Sequence, residues 1–151
     1  MLSKKAKYAI KALILLGKNF DVAPMRISDI AIAENIPVKY MGGILKDLQN
    51  GGFIYNKKGS NGGYLLRETP EEITLDKIVR LLDGPIAQIF CASLFHYHKC
   101  DECADEATCS IRDLYVKIRE ADYQILAGTS IASLINKETS LKIDRLVSHE
   151  I

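Results

Sequence analysis

The sequence feature that most constrains the fold is a glycine-rich segment, Gly59-Ser-Asn-Gly-Gly63, with residues suited to short strands on both sides. Glycine adopts the positive φ angles of tight turns at little steric cost, so the segment predicts a β-hairpin. The predicted strands are Phe53–Lys58 and Tyr64–Arg67. Lys57 and Lys58 make the stem basic, which suits contacts with phosphate groups better than contacts with base edges.

Three helices are predicted before this hairpin. Apolar and lysine-rich faces favour a first helix over Lys4–Phe20, which the turn at 21–24 ends. A second helix is expected to begin at Ser28 as its N-cap, and a third to cover Val38–Asn50 before two glycines. Two short helices joined by a short turn form a helix-turn-helix. With the hairpin directly after them, the segment predicts a winged helix.

A winged helix places its third helix in the major groove of DNA and its hairpin on the phosphate backbone or the neighbouring minor groove. Within the third helix we expect Met41 to face the core. Gly42 and Gly43 each cost roughly 0.5–1 kcal/mol relative to alanine, which indicates a close approach to DNA or to another helix. The predicted DNA-contacting residues are Lys4, Lys5, Ser28, Lys39, Tyr40, Lys46, Lys57, Lys58, Asn61 and Gly62.

The formal net charge of +1 hides an uneven distribution. Residues 1–70 carry eleven Lys and Arg against five Asp and Glu, whereas residues 71–151 carry nine against fourteen. A basic half is expected in a chain that meets a polyanion, although a solvated basic face would give the same count. The longest apolar run, 12–16, is far below the ~18 residues of a membrane span, and no small-residue cleavage site follows it. We therefore expect a cytoplasmic protein with no membrane partner.

Apolar periodicity predicts further helices in the second half. One covers Thr74–Leu82, and a longer one covers Ile111–Ala127. The longer helix is apolar on more than one side, so we expect it to pack on its own winged domain and on its copy in a second subunit. Packing within one subunit alone is the alternative. Thr129 is expected to cap a last short helix, Ser130–Ile135.

All four cysteines fall within nineteen residues, in a C-x8-C-x2-C-x5-C array: Cys91, Cys100, Cys103 and Cys109. A disulfide redox switch is one interpretation, although cytoplasmic thiols are normally reduced. Zinc suits four thiolates, but Cys91 and Cys109 lack the close partner of a paired knuckle. An iron–sulfur cluster takes the same soft ligands and tolerates irregular spacing. His96 and His98 are alternative ligands.

The last cysteine stands at the start of the predicted long helix. Ser110 and Asp113 fit a capping box, which places Cys109 just before the helix N-terminus, where the helix dipole favours a thiolate. Loss or oxidation of a cofactor bound at Cys109 is therefore expected to disturb the start of the helix. In a dimer, this would change the spacing of the two recognition helices.

Four motifs carry a family resemblance: Lys4–Leu13, the helix pair ending in Val38-Lys-Tyr40, Gly59–Leu66 and Pro70–Leu75. Together they resemble the Rrf-two (IscR/NsrR/CymR-type) family of winged-helix transcription regulators, over residues 1 to about 136. The resemblance implies a homodimer, here expected to be a repressor, on a palindromic double-stranded DNA operator, with Tyr40 and Lys58 near DNA. Lys58 replaces a frequent wing arginine, and Gly42 replaces a base-contacting glutamate of some members. The operator sequence therefore does not carry over.

The resemblance also favours an iron–sulfur cluster over zinc or a thiol switch. Several relatives use cysteines of this loop to hold a cluster that senses iron, oxygen or nitric oxide. Their three cysteine positions correspond to Cys91, Cys103 and Cys109, and Cys100 is an added fourth. A histidine ligand of one branch is replaced by Arg112, and an acidic ligand of another by Lys7. Ligation by four cysteines is therefore expected.

These features predict a mainly α-helical chain with a small β-wing: a winged helix-turn-helix domain plus a long dimerisation helix. The predicted parts are a DNA-binding domain at 1–70, a dimerisation and cysteine-loop sensor region at 71–136, and a C-terminal tail at 137–151. The sequence has no glycine-rich phosphate loop, no Ser-His-Asp set and no H-E-x-x-H motif. We therefore expect a regulator and not an enzyme.

Overall fold

The computed structural model describes residues 2–148, which form six α-helices and a two-stranded antiparallel sheet. The helices are α1 (Lys4–Lys18), α2 (Ile27–Ala33), α3 (Val38–Asn50), α4 (Leu75–Asp83), α5 (Ser110–Ala127) and α6 (Ile131–Ser148). The strands are β1 (Ile54–Lys57) and β2 (Gly63–Leu66). The prediction of a mainly α-helical winged helix with one long later helix is confirmed. Within the described range, no helix is long and apolar enough to cross a membrane.

Helix α1 begins where it was predicted and ends two residues early. The Ser3 side chain accepts a hydrogen bond from the Ala6 N–H at 3.0 Å, which caps the first turn. After Lys18 the chain enters a hydrogen-bonded turn in which Asp21 has a φ of 59°. This left-handed turn ends the helix before the predicted Phe20.

The helix-turn-helix forms as expected, with one cap misassigned. The Arg26 carbonyl accepts from the N–H groups of Asp29 and Ile30 at 3.0 and 3.1 Å, so α2 begins one residue before Ser28. The prediction that Ser28 is the N-cap is therefore wrong, and its hydroxyl instead donates to the Asp29 carboxylate at 3.2 Å. The turn to α3 uses Asn35 in the left-handed region, with a φ of 53°. Helix α3 has the predicted bounds.

The wing is a hairpin held against the rest of the winged helix. Strands β1 and β2 pair in the register Ile54↔Leu66 to Lys57↔Gly63. Tyr64 also exchanges two backbone hydrogen bonds with Met25, at 2.8 and 3.1 Å. A Cβ atom at Gly63 would lie 2.6 Å from the Met25 carbonyl oxygen, so glycine is required for this approach.

One hydrophobic core joins the winged helix to the first turns of α4 and α6. Its fully buried large side chains are Leu13, Ile30, Met41, Ile44, Leu45, Leu48, Ile54, Ile73, Ile78 and Ile131. Ile73 and Ile131 belong to a short backbone clamp, in which Leu75 N–H donates to Thr129 at 3.0 Å and Ile131 N–H donates to Ile73 at 2.9 Å. The clamp brings the starts of α4 and α6 together.

The last helix differs from the prediction in both its cap and its length. The Ser130 hydroxyl oxygen accepts from the Ser133 N–H at 3.1 Å, whereas the Thr129 hydroxyl donates to the Ile125 carbonyl of the preceding helix at 2.7 Å. Thr129 is therefore not the cap. The predicted short helix Ser130–Ile135 is instead α6, which reaches Ser148. Most of the predicted tail, 137–151, is thus helical, and its last three residues lie outside the described range.

Candidate DNA-binding surface and cysteine loop

Helix α3 presents an exposed polar face opposite its buried one. Met41 is fully buried, as predicted, while Tyr40 is exposed and packs edge-on against Tyr8 with ring centroids 5.8 Å apart. Lys39, Gly43 and Lys46 are also exposed, and their spacing of four and three residues puts them on one face of the helix. On this face, the exposed amines of Lys39 and Lys46 lie on either side of Gly43, which has no side chain.

The two glycines of α3 have different surroundings. A Cβ atom at Gly42 would lie 3.3 Å from Ile27 Cδ1, so Gly42 allows a close approach of α2. A Cβ atom at Gly43 would meet nothing within 4 Å. Packing between helices therefore explains Gly42, and no contact in the described chain explains Gly43.

The predicted contacts at the start of α1 lie beside this face. Lys4 Nζ is 5.7 Å from the centre of the Tyr8 ring, and Lys5 Nζ is 2.5 Å from an Asp47 carboxylate oxygen. The Lys5–Asp47 pair ties α1 to α3, so Lys5 already has an anionic partner. Ser28 is half-buried.

The wing brings the other predicted residues to the surface. Lys57, Lys58 and Asn61 are exposed, and Gly62 turns the chain by donating its N–H to the Gly59 carbonyl at 3.0 Å. Arg26, which the sequence did not single out, donates from Nη2 to the Ser60 carbonyl at 2.9 Å. It links the start of α2 to the tip of the wing. The one sequence feature that points to this role is the position of Arg26 in the turn before the helix-turn-helix.

Cys109 occupies the N-cap position of α5, one residue before the predicted cap. Its Sγ accepts a hydrogen bond from the Arg112 N–H at 3.5 Å, so the predicted Ser110–Asp113 capping box is not the cap. This backbone N–H is the main cause of a lowered pKa of the Cys109 thiol. A hydrogen bond with the Cys103 thiol lowers it further.

The pKa of the Cys103 thiol is shifted in the opposite direction. Partial burial is the main cause of its raised pKa, and the hydrogen bond with the Cys109 thiol raises it further. Its Sγ also lies 3.3 Å from the Asp105 carbonyl oxygen. Cys103 and Cys109 therefore form a thiol pair in which Cys109 is the more easily ionised member.

Cys91 is buried, and two arginines of α5 bind the backbone at Cys91 and Ala92. Arg112 Nε donates to the Cys91 carbonyl at 3.0 Å, and Arg119 Nη1 donates to the Ala92 carbonyl at 2.7 Å. Cys100 is half-buried, and its carbonyl accepts a turn hydrogen bond from the Cys103 N–H at 3.3 Å. The loop thus has one end fixed on the side of α5 and the other at its N-terminus.

The donor chemistry of the loop suits a soft metal or cluster, but the ligands are not assembled. All four cysteines, which lie within the described range, are free thiols. Among residues 2–148, no three His, Cys, Asp or Glu side chains are close enough together to hold a metal ion. His98 packs edge-on against Phe90, and His96 is exposed. Cys91 and Cys100 would have to approach the Cys103–Cys109 pair for all four thiols to share a cofactor.

Helix α5 lacks a buried face. None of its eighteen residues, all of which are described, is buried. Its outward apolar residues Ile111, Leu114 and Ile125 are 63%, 54% and 68% exposed. Their spacing places them on one side of the helix. An exposed apolar face of this kind marks a candidate site of interaction with another protein surface.

A helix-turn-helix with an exposed basic recognition helix and a basic wing defines the class of winged-helix DNA-binding proteins. The sequence profile of the Rrf2 family, described as "Iron-dependent Transcriptional regulator", matches residues 2–137. The chain belongs to the Rrf2 family of transcriptional regulators, so the predictions of a DNA-binding regulator and of no enzyme are confirmed.

Individual relatives agree with this assignment. A putative rrf2-like HTH-type regulator of Rhodobacter capsulatus is 36% identical over 121 residues, which cover 78% of this chain and 81% of the relative. The HTH-type regulator NsrR of Geobacillus kaustophilus is 28% identical over 141 residues, or 93% of each chain. The structure of CymR, the global cysteine regulator of B. subtilis, superposes with a TM-score of 0.76 at 27% identity, covering 91% of this chain and 97% of CymR. T. potens IscR, at 19% identity and a TM-score of 0.72 over 91% and 88% of the two chains, has the same fold.

Proposed function

We propose that this regulator acts in the cytoplasm as a homodimeric repressor on a palindromic operator, and that its cysteine loop senses iron–sulfur, redox or nitric oxide status. The single observation that carries the proposal is the position of Cys109. It belongs to the cysteine array and also caps α5, the helix with the unpartnered apolar face. We propose with it the predicted division into a DNA-binding domain at 1–70, a dimerisation and cysteine-loop sensor region at 71–136 and a C-terminal tail at 137–151.

The DNA-binding part of the proposal depends on α3 and the wing. In each subunit α3 would enter the major groove with Lys39, Tyr40 and Lys46, while Lys57, Lys58, Asn61 and Gly62 would meet the backbone beside it. Lys4, Lys5 and Ser28 would contact phosphates at the edge of the groove. Two subunits related by a twofold axis read two half-sites, so the operator should be palindromic.

The sensing part depends on the chemistry of the four cysteines. Cys91, Cys100, Cys103 and Cys109 would hold an iron–sulfur cluster, which would supply reactivity toward oxygen or nitric oxide. If Cys109 held a cofactor, its Sγ would be shared between that group and the Arg112 N–H. The first turn of α5 would therefore differ between the two states. A coupling of about 1–3 kcal/mol to operator binding is enough for regulation. Among the relatives, NsrR and IscR are members of the same family, as is CymR.

The test is to purify the chain without oxygen and to measure its visible absorption and its content of iron, sulfide and zinc. An operator is selected from random double-stranded DNA, and its affinity is measured with the protein as purified and after removal of the cofactor. We expect bound iron and sulfide and a change in affinity. A colourless protein with one zinc per chain contradicts the cluster, and equal affinities contradict sensing.

A thiol switch without a cluster is the second candidate, because the Cys103 and Cys109 thiols shift each other's pKa, Cys109 downward and Cys103 upward. A peroxide-class oxidant would take two electrons from the two thiols, which would lose two protons and form one disulfide. Mass spectrometry after peroxide treatment should then find a Cys103–Cys109 crosslink that Cys109→Ser abolishes. A zinc-bound form of the same loop would instead resist peroxide and lose its metal to a chelator.

A further inference from the structure

A cavity of about 180 Å³ lies between the end of α4, the segment 84–96 and α5. Apolar groups such as Pro85, Ile86 and Leu94 form most of its wall, and Leu94 and Phe95 are exposed at its rim. For comparison, an apolar cavity of about 150 Å³ accepts a benzene molecule. The cavity is therefore large enough for the body of a small organic molecule. None of the four cysteines and none of the predicted DNA-contacting residues lines it.

Two arginines give this apolar cavity a positive character. The Arg80 guanidinium lies between the rings of Phe95 and Tyr123, at 4.9 and 5.1 Å from their centres. These rings hold the group in place, and in the described part of the chain no carboxylate pairs with it. Its N–H donors are therefore available to an anion, and the two rings restrict the movement of the guanidinium.

The second arginine has an unused donor. Arg119 uses Nη1 for the Ala92 carbonyl, and its Nη2 lies 3.6 Å from a Glu120 carboxylate oxygen. Its Nε is buried and has no hydrogen-bond partner among the described residues. A buried donor without a partner is costly. Glu120 is half-exposed and leaves the pair of arginines with an excess of positive charge.

The cavity lies on the opposite side of α5 from the apolar face that we assign to the second subunit. Arg119 and Tyr123 are four residues apart and share the inner face of the helix. Tyr123 and Ile125 are two residues apart, or roughly 200° around the helix. A subunit packed on Leu114 and Ile125 would therefore leave the cavity accessible.

We propose that this cavity binds a small organic carboxylate, with its apolar body among Pro85, Ile86 and Tyr123 and its carboxylate on Arg80 and Arg119. Charge complementarity selects the anion, and the aromatic and aliphatic walls select a ring-sized or branched apolar body. A ligand bound there would contact α4, residues of the segment 84–96 and α5 at once. It would therefore hold residues 84–96 against α5.

The experiment titrates the full chain with benzoate and with isovalerate by calorimetry, using benzyl alcohol as the neutral counterpart of benzoate. At least one carboxylate should bind saturably at one site per chain, and benzyl alcohol should bind at least about tenfold more weakly than benzoate. Hydrogen exchange with the bound carboxylate should slow in residues 84–96. If neither carboxylate saturates, or if benzyl alcohol binds as well as benzoate, the proposal is wrong.

Matched variants locate the site. Arg80→Gln should weaken carboxylate binding at least about tenfold, while Lys77→Gln removes a charge from the same helix outside the cavity and should change it less than about twofold. Arg119→Lys keeps the charge but removes the Nε donor, and should also weaken binding. Thermal unfolding of each variant checks that it folds. If Arg80→Gln leaves carboxylate affinity unchanged but shifts the monomer–dimer equilibrium, the cavity belongs to a subunit interface and the proposal is overturned.

Discussion

At the scale of single residues, a side chain at position 43 should affect the stability of α3 and its proposed contact with DNA in opposite directions. Nothing lies within 4 Å of a Cβ atom at this position. Gly43→Ala should therefore raise the free energy of unfolding by roughly 0.5–1 kcal/mol, because alanine has the higher helix propensity. We expect the same change to weaken operator binding, because the added methyl group would stand between Lys39 and Lys46.

Chemical denaturation and an operator titration measure the two effects. Gly42→Ala serves as the comparison, since its methyl group would press on Ile27 and should not stabilise the fold to the same extent. Unchanged operator affinity in Gly43→Ala would show that the α3 backbone does not approach DNA there.

Cys103 and Cys109 should react at different rates in the reduced, cofactor-free protein. The Arg112 N–H lowers the pKa of Cys109, whereas burial raises that of Cys103, so the thiolate fraction of Cys109 is larger at neutral pH. Iodoacetamide should therefore label Cys109 first, and the labelling rate should level off at a lower pH than for Cys103. Peptide mass spectrometry at timed intervals measures both rates. Equal labelling across the pH range would contradict the role of the helix N-terminus.

At the scale of elements, Glu138 should stabilise the attachment of α6 only when it is ionised. Lys18 on α1 lies 2.5 Å from this carboxylate and is the main cause of its lowered pKa. A carboxylate with a lowered pKa in the folded state stabilises above its ordinary pKa, and this contribution is lost as the pH falls through the lowered value. Both side chains are partly exposed, so the contribution should be below about 1 kcal/mol.

The free energies of unfolding of the parent and Glu138→Gln proteins should therefore differ at pH 7 and be equal in strong acid. Lys142→Gln removes the second, longer contact of Glu138 at 3.4 Å and should have a smaller effect at pH 7. A Glu138→Gln difference that persists below the carboxylate range would have to come from packing instead of charge.

Sequence patterns predicted the elements well where they bury a face against their own chain. Helix α3 has its predicted bounds because buried Met41, Ile44, Leu45 and Leu48 repeat with helical spacing. The length of α6 was missed because its second half exposes Leu141, Ile143 and Leu146 and so has no such repeat. The caps of α5 and α6 were misassigned by one residue, since neighbouring Ser, Thr and Cys side chains compete for the same N–H groups. The cap of α2 was misassigned by two residues, because the Arg26 backbone carbonyl, without a side-chain cap, begins that helix.

The candidate sites were predictable to different degrees. The cysteine array and the basic wing are continuous in sequence, so their composition alone indicates their chemistry. Arg80 and Arg119 are far apart in the sequence, and neither neighbourhood hints at a shared cavity. Their approach depends on how α4 and α5 pack, which is a property of tertiary structure.

At the scale of the whole molecule, the exposed face of α5 should determine the oligomeric state. Ile125→Glu places a charge on the proposed interface and should produce a folded monomer, because the side chain is 68% exposed within the chain. Gln124→Lys adds a charge on the same turn but beside Glu120, and should remain dimeric. Light scattering after size exclusion measures the mass. A dimeric Ile125→Glu protein would place the interface elsewhere.

The uneven charge of the chain should appear in the salt dependence of operator binding. Each lysine that neutralises a phosphate releases counterions, so affinity should fall steeply with salt. Lys58→Ala should weaken binding and reduce the slope of log affinity against log salt by about one. Lys77→Ala, on α4, should leave the slope unchanged. If the Lys58→Ala protein keeps the slope of the parent protein, Lys58 does not contact a phosphate.

The backbone clamp between Ile73 and Ile131 bears on where the chain tolerates insertions and deletions during evolution. The chain leaves the core after α4 and returns to it at Ile131, and the clamp joins the starts of α4 and α6, so the cysteine segment is an excursion with both ends fixed. Lengthening such an excursion costs little free energy, because loop-closure entropy grows only slowly with length. The segment can therefore gain or lose residues between its anchors while the DNA-reading part keeps its shape. A single scaffold could in this way acquire different sensory chemistries.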